Sequence, residues 1–299
     1  MGHIITDLKE AFRRGNVYIQ LIFINVGVFV ITTLIGILLQ LFNRSAAGIF
    51  ELLALPASFT RFAWQPCSIF TYMFMHAGFL HILFNMLWLY WFGALFLYFF
   101  SGKHLRGLYI VGGICGGLLY MISYNVFPYF RPMTAYSTMV GASASVLAIV
   151  VATAYREPNY PVRLLFFGNV RLKYLALIVV LTDLLFITSS NAGGHIAHLG
   201  GALAGLWFAA SLNKGKDITS WVNKALDAIA ALFSAKTWKR KPKMKVHYGN
   251  NTRQNDYDYN ARKKAQSDEI DRILDKLKKS GYESLTTEEK KSLFDASKR

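Results

Sequence analysis

The chain has 299 residues, 54% of them hydrophobic and 15% aromatic, and a formal net charge of +16. So apolar a composition over this length excludes an ordinary soluble protein. The charge does not point to nucleic acid, because Lys and Arg concentrate in short connections and after Leu212, as in membrane proteins whose basic segments stay inside.

Taken in order, residues 1–16 are polar and basic, and Lys9, Arg13 and Arg14 place them in the cytoplasm. No signal-peptide cleavage pattern follows, so the first apolar run, residues 17 to about 41, is expected to remain as a span. A long outer connection reaches about residue 78, and its Phe59, Phe62 and Trp64 suit the membrane interface. The second span covers residues 79 to about 100, and Lys103 and Arg106 mark the return inside. The third, 108 to about 127, carries Gly112, Gly113, Gly116 and Gly117, a doubled small-xxx-small pattern for close helix approach.

The fourth span is expected from about residue 138 to 155, with Gly141, Ser143 and Ser145 near its outer end. The basic connection with Arg156, Arg163, Arg171 and Lys173 belongs inside. The fifth span runs from about 172 to 189, with Asp183 midway and read as a structural hydrogen bonder. The sixth, 194 to about 212, begins with His195 and His198. Six spans leave both termini in the cytoplasm.

The tail is different material. Val222, Leu226, Ile229 and Phe233 recur at helical spacing beside Trp221, followed by Lys236, Lys239, Arg240, Lys241, Lys243 and Lys245. That pattern predicts an amphipathic, polybasic segment on anionic lipid headgroups. Residues 249–266 read as disordered. Ser267 is expected to cap a helix ending at Gly281, and Thr286 with Glu289 to form a capping box for a last helix. The domain plan is therefore 1–16 N-terminus, 17–212 six-helix core, 213–264 linker and 265–299 helical hairpin. Cys67 and Cys115 lack metal-type spacing and read as free thiols, and neither metal nor cofactor is expected.

Polar groups at hydrocarbon depth need a partner or a purpose. A serine hydroxyl needs a base to become a nucleophile. The sixth span supplies His195 and His198 at the depth of Ser143. His198 lies three residues before Gly201, on a face shared with Gly205 that would let spans four and six approach. His195 is the second candidate, nearer the loop. On the second span His81 and Asn85 stand four apart, so their donors fall on one face, where an oxyanion could be held. Ser145, the competing nucleophile, points about 200° away from Ser143 around a helix.

In combination these residues resemble the rhomboid intramembrane serine proteases of bacterial six-helix type. The matching pieces are Gly141-Ala142-Ser143-Ala144, then His76 with His81-Ile82-Leu83-Phe84-Asn85, then Ala197-His198-Leu199-Gly200-Gly201 with Gly205. The resemblance covers about residues 17–212. It implies a Ser-His dyad without an acidic third member, Ser143 as nucleophile and His198 as general base and then acid. The Ser143 N–H, His81 and Asn85 would bind the oxyanion. His76, Gly141, Gly201 and Gly205 would support the site, His76 by ordering the first connection. Ala144, Leu147 and Cys67-Ser68 stand where that family often has glycine, an aromatic and a Trp-Arg pair.

The expected fold is an all-α, polytopic six-helix bundle with a cytoplasmic helical tail, and the expected location is a bacterial inner membrane. The expected function is cleavage of transmembrane segments of other proteins. The alternative is a catalytically silent rhomboid-like protein that binds such segments for trafficking or degradation. Partners are then transmembrane substrates, the lipid bilayer and anionic headgroups, not nucleic acid. A transporter fits less well, because the polar groups cluster near one membrane face.

Overall fold

A computed structural model describes residue 12 and residues 15–164, 168–232 and 252–297. The chain divides into two compact units, Met1–Thr237 and Trp238–Arg299.

The first unit opens with α1, Val17–Leu41, whose 25 residues give roughly 37 Å at 1.5 Å per residue, more than a hydrocarbon core requires. Large apolar side chains such as Leu34, Leu38 and Leu41 stand exposed along it, as lipid contact allows. The first connection is folded rather than extended: α2 (Ala47–Leu53), β1 (Leu55–Pro56), α3 (Phe59–Trp64), α4 (Ser68–Thr71) and a 3₁₀ turn (Tyr72–Phe74). Ser58 caps α3 by accepting from the Arg61 N–H at 3.4 Å. α5 (Phe79–Phe99) and α6 (Gly102–Val126) follow. α6 starts earlier than the apolar run predicts, because Ser101 Oγ accepts from the His104 N–H at 3.2 Å and caps it.

A second correction concerns the fourth span. Thr138–Met139 forms β2, paired antiparallel with β1 as Leu55↔Met139 and Pro56↔Thr138. The helix, α7, runs only over Ser143–Arg156, 14 residues or roughly 21 Å. Eleven of those residues, Ala144 to Ala154, are buried. Wrapped by protein, α7 can begin in non-helical backbone, which the bilayer tolerates only there. The basic connection, expected as plain loop, holds a hairpin of β3 (Pro161–Leu164) and β4 (Gly168–Arg171). α8 (Leu172–Leu185) stops four residues short of its predicted end, and α9 covers Ala192–Asn213. Among the described residues four helices, α1, α5, α6 and α9, are long and apolar enough to cross a membrane; α7 and α8 have 14 residues each.

Glycines set the centre of this unit, where α9 packs along both α6 and α7. A Cβ on Gly116 would meet the Ala144 Cβ at 2.6 Å and the Ala197 carbonyl oxygen at 2.8 Å. One on Gly201 would overlap the Ala144 carbonyl, and one on Gly205 the Ala148 carbonyl. Backbone thus lies against backbone, the arrangement small-xxx-small patterns permit. The other glycine row of α6 serves the first connection instead: a Cβ on Gly117 would come within 2.7 Å of Leu55 and 2.8 Å of Ile69. Tyr109 ties three parts together, its hydroxyl donating to the Met73 carbonyl at 2.9 Å while Asn25 Nδ2 donates to it at 3.0 Å.

α10 (Ser220–Leu232) closes the unit. Val222 packs with Val111 and Ala204. Arg106 donates to Asn223 Oδ1 at 3.0 Å and to Asp227 Oδ1 at 2.8 Å. The apolar stripe predicted there is therefore partly spent on α6, while Trp221 and Ile229 stay exposed. Phe233 and the lysine-rich run to Lys245 lie outside the described residues.

In the second unit α11 (Thr252–Ser280) is continuous through 252–266, where disorder was expected, and Ser267 is interior to it rather than a cap. Ala261, Arg262, Lys263, Lys264, Ala265 and Gln266 are strong helix formers, which outweighs their lack of apolar residues. The helix ends at Gly281, whose φ of +73° suits glycine. α12 (Thr287–Ser297) then starts from the expected capping box: the Thr286 N–H donates to Glu289 Oε2 at 2.9 Å and the Glu289 N–H to Thr286 Oγ1 at 3.3 Å. Lys276 pairs with Glu289 at 2.8 Å, and Ile273 and Leu285 are buried.

Candidate active site

The strand-to-helix passage from β2 into α7 fixes Ser143. The Ala57 N–H donates to the Ser137 carbonyl at 3.0 Å and the Gly141 N–H to the Tyr72 carbonyl at 2.9 Å, so the first connection holds this passage. Gly141 has φ +138°, a backbone state side chains rarely adopt, and a Cβ there would lie 3.0 Å from His81 Cε1 and Nε2. Two independent constraints thus require glycine. Ser143 is the first residue of α7, and the first intrahelical bond runs from the Val146 N–H to the Ala142 carbonyl at 3.0 Å. The N–H groups of Ser143, Ala144 and Ser145 consequently fall among the donors a helix start leaves without intrahelical partners, at the positive end of its dipole.

Ser143, His198, His81 and Asn85 all line one cavity of about 640 Å³, together with Trp88, Tyr120 and Leu147 among others. His81 Nδ1 accepts from the Ala77 N–H at 3.4 Å, which puts the ring proton on Nε2, the nitrogen beside Gly141. Asn85 Nδ2 donates to the His81 carbonyl at 2.8 Å and keeps a second N–H. His76 stacks edge-on to His81 at 5.2 Å. It is buried, and burial followed by the nearby His81 pushes its pKa down to about 4.

The other predicted residues separate clearly. Ser145 is fully buried and its Oγ faces α6, near Gly113, away from the cavity. His195 is not among the cavity-lining residues. Gly201 and Gly205 do not line it either; they set the α7–α9 spacing beneath it. Asp183 is the residue whose place the sequence reading misjudged. With α8 ending at Leu185, it lies in the last turn, not midway. Its Oδ1 accepts from His198 Nδ1 and from His195 Nδ1, each at 2.8 Å. The signal was available as an intramembrane acid, but the predicted helix end at 189 set it at the wrong depth. Asp183, His195 and His198 offer ligand atoms within 4.8 Å of one another, a spacing a metal ion could use, although both Nδ1 atoms already have a hydrogen-bond partner.

Long apolar helices around a cavity lined by a half-buried serine and histidine define an integral membrane protein. The family model of the Rhomboid domain matches residues 63–214, about half of the chain. The chain belongs to the rhomboid family. A second match, Family of unknown function (DUF6576), covers residues 254–299. RHOMBOID-like protein 12, mitochondrial, of Arabidopsis thaliana is 29% identical over 158 residues, 50% of this chain and 47% of that protein. The chain thus spans about half the length of this curated relative.

Proposed function

We propose that this protein is an intramembrane serine endopeptidase that cleaves transmembrane segments of other membrane proteins. The observation that carries the proposal is the convergence of Ser143, His198, His81 and Asn85, from three helices, on one cavity. In this reading the Ser143 hydroxyl passes its proton to His198 as its oxygen attacks the scissile carbonyl carbon. The carbonyl π electrons move onto oxygen, which the Ser143 N–H, His81 Nε2–H and the free Asn85 N–H receive. His198 then protonates the leaving amine, and water, with His198 again as base, releases the acyl group. Ser143 and His198 share the cavity with no hydrogen bond joining them among the described residues; such contacts often tighten only with substrate bound.

The six-span topology belongs to the same proposal. The basic residues after α5 and between α7 and α8 argue for a cytoplasmic side there, and burial of α7 explains how 14 residues can serve. The exposed Trp221 and Ile229 of α10 support contact with lipid. The 265–299 segment is read as a separate helical module on the same side.

The test is labelling with a fluorophosphonate probe, together with cleavage of a model transmembrane substrate, for the parent, Ser143→Ala and His198→Ala. Both activities are expected in the parent and in neither variant. A parent that neither labels nor cleaves would favour a catalytically silent binding protein. Cleavage that persists in Ser143→Ala would sink the assignment, and its loss in Ser145→Ala alone would transfer the role.

A further inference from the structure

The acid on α8 is not required by the dyad the family resemblance implies, yet it is built into the site. Asp183 is 6% exposed, and a carboxylate so buried needs strong partners to stay ionised. It has two, the Nδ1–H groups of His195 and His198, both on Oδ1. Oδ2 is buried with no hydrogen-bond partner among the described residues. The carboxylate is therefore committed to the two imidazoles. For each ring the consequence is a fixed tautomer: with the proton on Nδ1, Nε2 is left as the acceptor. For His198, which lines the cavity with Ser143, that acceptor is the nitrogen a base would use.

We propose that Asp183 is a positioning residue for the cleavage reaction, holding His198 in the base-competent tautomer, and that His195 serves by holding the Asp183 carboxylate in place. This rests on the protease reading given above. When Ser143 gives its proton to His198 Nε2, the ring becomes a cation whose Nδ1–H remains on Asp183, and no proton moves to the carboxylate. The anion facing that cation stabilises it as the tetrahedral intermediate forms. His195, outside the cavity lining, takes no proton from the substrate. Its N–H keeps the shared oxygen from turning away from His198, as outer hydrogen-bond partners orient a reacting group.

A purely structural role is the competing account, since the same bonds staple α8 to α9. Full-length protein in proteoliposomes separates the two. In Asp183→Asn the amide NH₂ would face His198 Nδ1 and favour the opposite tautomer, so kcat should fall on the order of 10²- to 10⁴-fold with KM within about twofold. Fluorophosphonate labelling should slow in proportion. His195→Gln should cost about tenfold in kcat. A structural role predicts instead that any loss tracks the fraction of folded protein, with the folded fraction turning over at the parent rate.

The parent itself gives a measurement independent of whether the variants fold. With ¹⁵N-labelled histidine, His198 should show a protonated Nδ1, an unprotonated Nε2 and a low-field Nδ1–H proton. A protonated Nε2 in the resting parent, or parent kcat in Asp183→Asn, overturns the inference while leaving Ser143 and His198 as the reacting pair. Cleavage surviving Ser143→Ala overturns the protease reading instead. Loss of parent activity on chelation, restored by zinc, would also overturn the inference by making the three residues a metal centre.

Discussion

Gly201→Ala is the most exacting test of how the helices set the site. Besides the overlap with the Ala144 carbonyl oxygen, the added methyl would stand 2.8 Å from the Ala144 carbonyl carbon and 3.0 Å from its Cα. Comfortable contacts begin near 3.5 Å to carbon and about 3.2 Å to oxygen, so the overlap with the carbonyl oxygen governs and α7 and α9 must part by about 1 Å at that level. The atoms in the way are backbone, which cannot swing aside as a side chain would. Overpacking of this kind costs about 1–3 kcal/mol of stability. The displaced residue adjoins Ser143 in sequence, whereas His198 rides on α9, so the shift falls directly on the proposed Ser143–His198 pair. A misplacement near 1 Å costs roughly 10²-fold in rate. Gly205→Ala meets the Ala148 backbone at 3.1 Å in the same manner, one turn farther from Ser143, so it should lose similar stability and less activity. The assay is kcat/KM on a transmembrane substrate beside thermal unfolding in detergent. Parent-like rates in Gly201→Ala, or equal rate losses in the two variants, would refute the reasoning.

Two further outcomes concern the support of the site. Tyr109→Phe leaves the Met73 carbonyl without its donor and removes one acceptor from Asn25 Nδ2, which keeps the Leu21 carbonyl; it should destabilise the protein by about 1–2 kcal/mol, read as a lower midpoint of thermal unfolding. His76 is buried with its pKa pushed from 6.5 down to about 4. The unfolded chain then binds the proton more readily than the folded one, so the resulting stability is complete above pH 6.5 and is lost as pH falls toward 4. The unfolding midpoint of the parent should drop over that window more steeply than that of His76→Phe; parallel curves would refute the assignment.

The helical nature of the first unit and the residues that converge on its cavity were legible because burial in lipid leaves few explanations for a polar residue. Ser143, His81, Asn85 and His198 each broke an apolar run. The glycine rows of α6 and α9 were legible as close-packing faces, although sequence could not say that Gly117 meets the first connection, that Gly113 stands between Met73 and Ser145, and that Gly116 meets α7 and α9. Helix ends were not legible. Apolar residues on both sides of Ser143 hid the change from strand to helix, since Thr138 and Met139 pair with Leu55 and Pro56, far away in sequence. The same difficulty misplaced Asp183: hydropathy continues past Leu185, whereas the helix does not. In the tail, the absence of apolar periodicity in 252–266 concealed a helix built from residues of high intrinsic propensity.

The short β1–β2 pairing has a pharmacological consequence. Ser143 lies four residues beyond Met139; the backbone between them is anchored to Tyr72 through Gly141, and Ser137 just before β2 is anchored to Ala57. A compound that wedged β1 away from β2 would release Ser143 from its setting by shifting the cavity wall that Thr138 and Met139 form. On the proposed protease reading, such an inhibitor would need no electrophile and would take its selectivity from Leu55, Pro56 and their surroundings instead of from Ser143 and His198.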